Sequence, residues 1–333
     1  MKKTFIKNAV LRKDMLLDMK KPTIMIIMLL FNLLLCVVAL PFVSSTILMT
    51  GSASTLSYRT MITMYMVLVW LETIAICFLT PALTAGCVSI EKERQTMDVL
   101  LTTRMSTWQI IVGKYFSSIM LVIMLIISGL PMMALVFIYG GVNIAQMFLM
   151  ALVLITTTMY LASFGVFFSA LVKNTIVSVI LTYIAIGFLF SVTFSASFGI
   201  QAAILSYNDL LEYEYNKQFN LHGDYFLFLL WWNPLVTVFD STAQIFGYGF
   251  DSSNTFNGMK DWAGDLFVSM TDKNIILNLW SIISMAVQLG TSFLLLKWSA
   301  YLIKPVKRKP KKFVSNFKNT PREKTGGVEQ SKA

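Results

Sequence analysis

Six stretches of this chain are each long and apolar enough to cross a bilayer, and no other feature limits its fold so strongly. They cover roughly residues 23–43, 61–90, 115–138, 144–171, 175–198 and 275–297. A membrane-crossing helix needs about 20 mainly apolar residues. Between these stretches little is left from which to build a water-facing surface. Charged residues make up 13% of the chain and apolar ones 56%, whereas soluble proteins carry about 25% charged residues. A soluble enzyme and a disordered chain are both excluded. The first stretch is too long for a signal peptide and follows an unusually extended basic segment. Leu35 precedes Cys36 where a lipoprotein site needs a small residue. The expectation is an uncleaved first span.

The net charge of +10 arises from 27 Lys and Arg against 17 Asp and Glu. Of the basic residues, 23 fall in residues 1–21, 91–114, at Lys173 and in 297–332. The intervening connections hold only Arg59, Lys217, Lys260 and Lys273, while nine acids lie between 199 and 274. Because Lys and Arg accumulate on the cytoplasmic side, both termini and the 91–114 connection are expected inside the cell membrane. Two basic ends require an even number of spans. The apolar run Tyr225–Phe239 is broken by Asn233-Pro234 and is short for a span. It is read as interfacial or re-entrant structure within an external cap.

Local signals agree with this division. Ser106 and Gln109 have capping-box spacing before the third span, as do Asn143 and Gln146 before the fourth. Trp280 near one end of the last span and Trp298 and Tyr301 near the other fit interfacial aromatic belts. Small residues recur four apart at Thr158/Ala162, Gly165/Ser169, Ser178/Thr182 and Ser191/Ser195. That spacing lets helices approach closely in lipid.

The connection between spans two and three carries most of the functional information. It reads Glu91-Lys92-Glu93-Arg94-Gln95-Thr96-Met97-Asp98-Val99-Leu100-Leu101-Thr102-Thr103. As one helix, Met97, Leu100 and Leu101 share a stripe, and Arg94 can pair with Asp98 four residues on. A solvated turn lying on the headgroups fits the same pattern. This run, with Ser106 and the following Ile110-Ile111-Val112-Gly113-Lys114, resembles the signature of ATP-binding-cassette (ABC) type-2 permeases, the membrane subunits of exporters. Gln95 stands where the family carries a small or basic residue, and Arg104 where it carries Pro.

The resemblance implies a coupling helix at 91–104 that docks on a cytosolic ABC ATPase subunit. Its coupling residues would be Glu91, Glu93, Arg94, Thr96, Asp98, Leu100 and Leu101. It also implies a second permease copy or paralogue, and an amphipathic elbow helix over residues 1–21. No G-x-x-x-x-G-K-[ST] phosphate loop occurs in the sequence. The chain is therefore not read as an enzyme; ATP and magnesium are assigned to the partner ATPase, with no cofactor on this chain.

Glu72 is the one ionisable residue inside a proposed span. An intramembrane carboxylate is costly and suggests function, so it is a candidate for the translocation path; a hydrogen-bonded packing residue is the plain alternative. His222 is the sole histidine, and Cys36, Cys77 and Cys87 all lie within spans, so neither a metal site nor a disulfide framework is expected. The 199–274 cap holds 16 aromatics, which suits a structured element. The basic 304–333 tail fits a disordered segment attracted to anionic lipid, not nucleic acid.

The sequence thus describes an all-α integral membrane protein. Six transmembrane helices form a permease domain over 22–303, with a cytoplasmic coupling helix, a large extracellular loop between helices five and six, and both termini cytoplasmic. An ion-gradient-driven secondary transporter or channel, and a regulatory subunit without transport activity, are the rival functions.

Overall fold

The computed structural model describes residues 22–48, 54–97, 102, 106–138, 142–215, 229–246 and 280–304. Eight helices are present among them: α1 (Pro22–Leu48), α2 (Ser54–Thr84), α3 (Ser89–Glu93), α4 (Thr107–Ile138), α5 (Ile144–Leu171), α6 (Thr175–Tyr215), α7 (Pro234–Phe246) and α8 (Trp280–Leu302). No strand occurs among the described residues. Among the described residues, six helices are long and apolar enough to cross a membrane: Ile24–Ser44, Thr60–Glu93, Thr107–Phe137, Ile144–Leu171, Thr175–Ala196 and Trp280–Leu302. All six match the expected stretches. Helices satisfy their backbone groups internally, which hydrocarbon demands.

The helices divide into a central set and a peripheral set, and their side chains explain why. α5 packs against α2, α4, α6, α7 and α8. Its buried face carries Thr156, Thr157, Thr158, Ala162, Ser163, Gly165 and Ser169. Small side chains let neighbouring backbones approach where apolar burial gains nothing over lipid. Two of its hydroxyls are satisfied locally: Thr158 donates to the Leu154 carbonyl and Ser163 to that of Tyr160. By contrast, α1 turns Met25, Leu29, Leu30 and Leu40 outward. Such exposure would be unfavourable in water and costs nothing in lipid.

The helices run beyond the apolar stretches at several ends. α4 starts at Thr107, well before the apolar run at 115, because Ser106 and Gln109 close a reciprocal capping box at 3.3 and 3.1 Å. α6 continues past 198 to Tyr215; no proline interrupts 199–215, and the residues following the apolar run include good helix formers such as Leu210, Leu211 and Glu212. α8 is offset, with its described residues beginning at Trp280 and ending at Leu302.

The Tyr225–Phe239 run supplies a 3-10 turn at 229–232 followed by α7. Pro234 occupies the first helical position, where its missing N–H is no loss. Asn233 caps it, its side-chain oxygen accepting the Leu235 amide at 3.1 Å. α7 packs on α2, α5 and α8, and its Thr237 and Val238 are fully buried. It is a short helix seated in the bundle, as a re-entrant element would be. The expected elbow helix at 1–21 and the tail beyond 304 lie outside the described residues, as do 216–228 and 247–279 of the cap.

Candidate functional site

The connection from α2 to α4 is built by close approach. α2 continues through Pro81 to Thr84 and there meets α5 at Gly165. A Cβ on Gly165 would collide with Thr84 Oγ1 and lie 3.1 Å from the Ala85 backbone nitrogen; no larger residue fits. The chain then turns into α3. No local side chain caps its N-terminus. Instead Ser169 of α5 accepts the amides of Val88 and Ser89 at 2.9 and 2.8 Å. From α6, Ser178 donates to the Ala85 carbonyl at 2.8 Å.

Three consecutive charged residues of α3 then reach three different helices. Glu91 Oε1 pairs with Lys114 Nζ of α4 at 2.6 Å. Lys92 Nζ donates to the Ala170 carbonyl at the end of α5. Glu93 Oε2 accepts the Thr175 hydroxyl at 2.7 Å and its amide at 3.3 Å, at the first residue of α6. Successive helical residues point about 100° apart, so one turn can address three neighbours. The electrostatics also agree: a cation sits at the carbonyl end of α5 and a carboxylate at the amide end of α6, each complementing the helix dipole.

The helix does not continue to residue 103. Gln95 adopts φ 58°, the left-handed conformation that favours glycine. Its amide donates to the Lys92 carbonyl at 3.2 Å and that of Thr96 to Glu91 at 3.0 Å. This is a Schellman closure, formed with Gln in the glycine position. The expected single helix over 91–103 is therefore broken after α3, and Arg94 lies before the break. Gln95, the unusual residue of the motif, is the one that turns the chain.

The candidate coupling residues consequently separate. Glu91 and Glu93 are bound to the bundle, while Arg94 and Thr96 are exposed. Met97 is not exposed; it is buried with Ile111, Tyr115, Val166 and Leu296 in an intramolecular apolar cluster. Asp98, Leu100 and Leu101 lie outside the described residues.

Glu72 is fully buried in α2. Its carboxyl faces Gly129 of α4, where a Cβ would stand 3.1 Å from Oε1. Neither carboxyl oxygen has a hydrogen-bond partner among the described residues. The glycine leaves the room that the carboxyl occupies.

Beside α7 lies a neutral polar cluster that the sequence reading did not identify. Thr237 Oγ1 and Ser284 Oγ of α8 are 2.5 Å apart. Gln288 Nε2 donates to Thr237 Oγ1 at 2.8 Å and to Ser284 Oγ at 3.2 Å. The Trp231 carbonyl accepts from Ser284 at 2.9 Å, and Asn233 donates to Thr193 Oγ1 of α6 at 2.9 Å. Trp231 and Trp280 pack edge to face at 5.6 Å. Gln288 within an apolar span was the available signal.

No local sequence signal marks Lys114, Ala170 and Thr175 as partners of the 91–93 charges, or Ser169 as the acceptor of the Val88 and Ser89 amides. Lys114 and Ser169 were visible as parts of a motif and of a small-residue pair, but residues 23 to 82 positions apart carry no spacing rule that joins them. A family model described as ABC-2 family transporter protein matches residues 8–299. No curated protein sequence matches the chain.

Proposed function

The chain belongs to the ABC-2 transporter family, and from that premise we propose that it is the permease subunit of an ATP-driven exporter. The observation that carries this reading is the α3 connection, where one short helix is joined to α4, α5 and α6 together. A push or pull on that connection reaches three spans at once. The positive-inside distribution supports a cytoplasmic position for it and for both termini.

No phosphate loop occurs in the sequence, so ATP and magnesium belong on a separate ATPase subunit. Exposed Arg94 and Thr96, followed in sequence by Asp98, Leu100 and Leu101, form the surface that meets it. A second permease copy or a paralogue completes the pathway. ATP binding drives the change only by favouring one of two conformations over the other. In this conformation Glu72 is sealed between α2 and α4; parting of those helices would expose it to the translocation path.

Co-expression with a candidate ABC ATPase subunit tests the reading. Affinity capture of the permease is expected to retain the ATPase, and Arg94→Glu to weaken that capture. An ATPase that neither binds the unaltered chain nor changes its hydrolysis rate in lipid vesicles would reject the assignment.

A further inference from the structure

We infer that Glu91, Lys92 and Glu93 act within their own subunit, as a clamp that makes α4, α5 and α6 follow the movement of α3. The inference rests on the transporter reading above. It gives these three side chains a positioning role and leaves contact with the ATPase to the residues beyond them.

Each of the three is already engaged. Glu91 has one carboxyl oxygen on Lys114 at 2.6 Å, and the other is buried. Lys92 is half-buried and directed at the carbonyl end of α5. Glu93 is bound to both the hydroxyl and the amide of Thr175. Two of these links satisfy helix-terminal groups that have no partner inside their own helix. Ser169 adds the reciprocal contact, holding the α3 amides from α5.

Stability does not account for the arrangement, because partly exposed ion pairs contribute little. Geometry does. A displaced α3 must either carry the ends of α5 and α6 with it or leave their terminal groups bare, while Lys114 is pulled along through its ion pair. Five residues span only about 7.5 Å, so α3 has little internal slack to absorb a movement. On the exposed side, Ile90, Arg94, Gln95 and Thr96 remain for a partner.

The test separates capture from motion. A dye on Ile144→Cys, an exposed residue at the end of α5 far from the clamp in sequence, reports conformation in a Cys36→Ala background. The permease–ATPase complex in lipid vesicles is treated with ATP and vanadate, which trap the ATPase in its closed state. The unaltered clamp should give a fluorescence shift. Glu91→Ala with Glu93→Ala should retain the ATPase and its hydrolysis but lose the shift. The charge exchange Glu91→Lys with Lys114→Glu should recover it, and Glu93→Ala alone, at an exposed position, tests the α6 link with the least disturbance of folding.

A shift that persists undiminished in Glu93→Ala and the double variant would overturn the inference. So would loss of ATPase capture by those variants, since that would put Glu91 and Glu93 on the partner's surface. Failure of the unaltered chain to capture the ATPase would instead reject the transporter reading itself.

Discussion

The α3 connection and the α7 cluster both tie helices together, with opposite chemistry. Around α3 the links are charged and each has a particular recipient: Lys114, the Ala170 carbonyl or Thr175. Around α7 they are neutral and shared, with Thr237, Ser284 and Gln288 each bonded to more than one neighbour. The difference follows exposure. Glu93 and Arg94 reach solvent, where ionised groups are tolerated, whereas Thr237, Ser284 and Gln288 are fully buried, where an unpaired charge would be expensive. A shared network survives the loss of a member; a set of single links does not. The first suits a fixed plug and the second a part that transmits movement.

Four substitutions would break or sharpen that contrast, read as thermal unfolding in detergent. The largest effect is expected from Gly165→Ala, which forces a Cβ into Thr84 and the Ala85 backbone and should cost about 3 kcal/mol, as overpacking does. A cost below that of a surface substitution would show that α2 and α5 can separate freely. Ser169→Ala removes the acceptor of two amides and should cost about 2 kcal/mol.

Gln288→Leu should be milder, about 1 kcal/mol, because Thr237 and Ser284 keep their mutual bond. If Gln288→Leu proved costlier than Ser169→Ala, the distinction between redundant and single links would fail. The smallest change is a gain. Gln95→Gly relieves the left-handed strain of a non-glycine residue and should stabilise by about 1 kcal/mol. A destabilised Gln95→Gly chain would mean that the Gln side chain itself holds the turn.

Much of the fold was legible in the sequence for a simple reason. Hydrocarbon imposes length and composition on every span, so the runs at 144–171 and 175–198 announced α5 and most of α6 without any knowledge of their neighbours. The capping box at Ser106 was equally local. The 91–103 segment was legible in its position and charge but not in its shape. Its apolar residues keep helical spacing, and only the backbone at Gln95 reveals the break. Met97 illustrates the cost: periodicity assigned it to a partner-facing stripe, while packing buries it in the bundle.

By itself, then, the sequence determined that this chain spans a membrane, how many apolar helices it forms, and where its charges collect. Those properties depend on stretches of about 20 residues meeting a uniform solvent. The tertiary structure alone decided which charges face one another. Glu91 and Lys114 are 23 positions apart, and Glu93 and Thr175 are 82 apart. Contacts between side chains so distant along the chain exist only once α5 has brought the ends of α2, α4 and α6 to the same place.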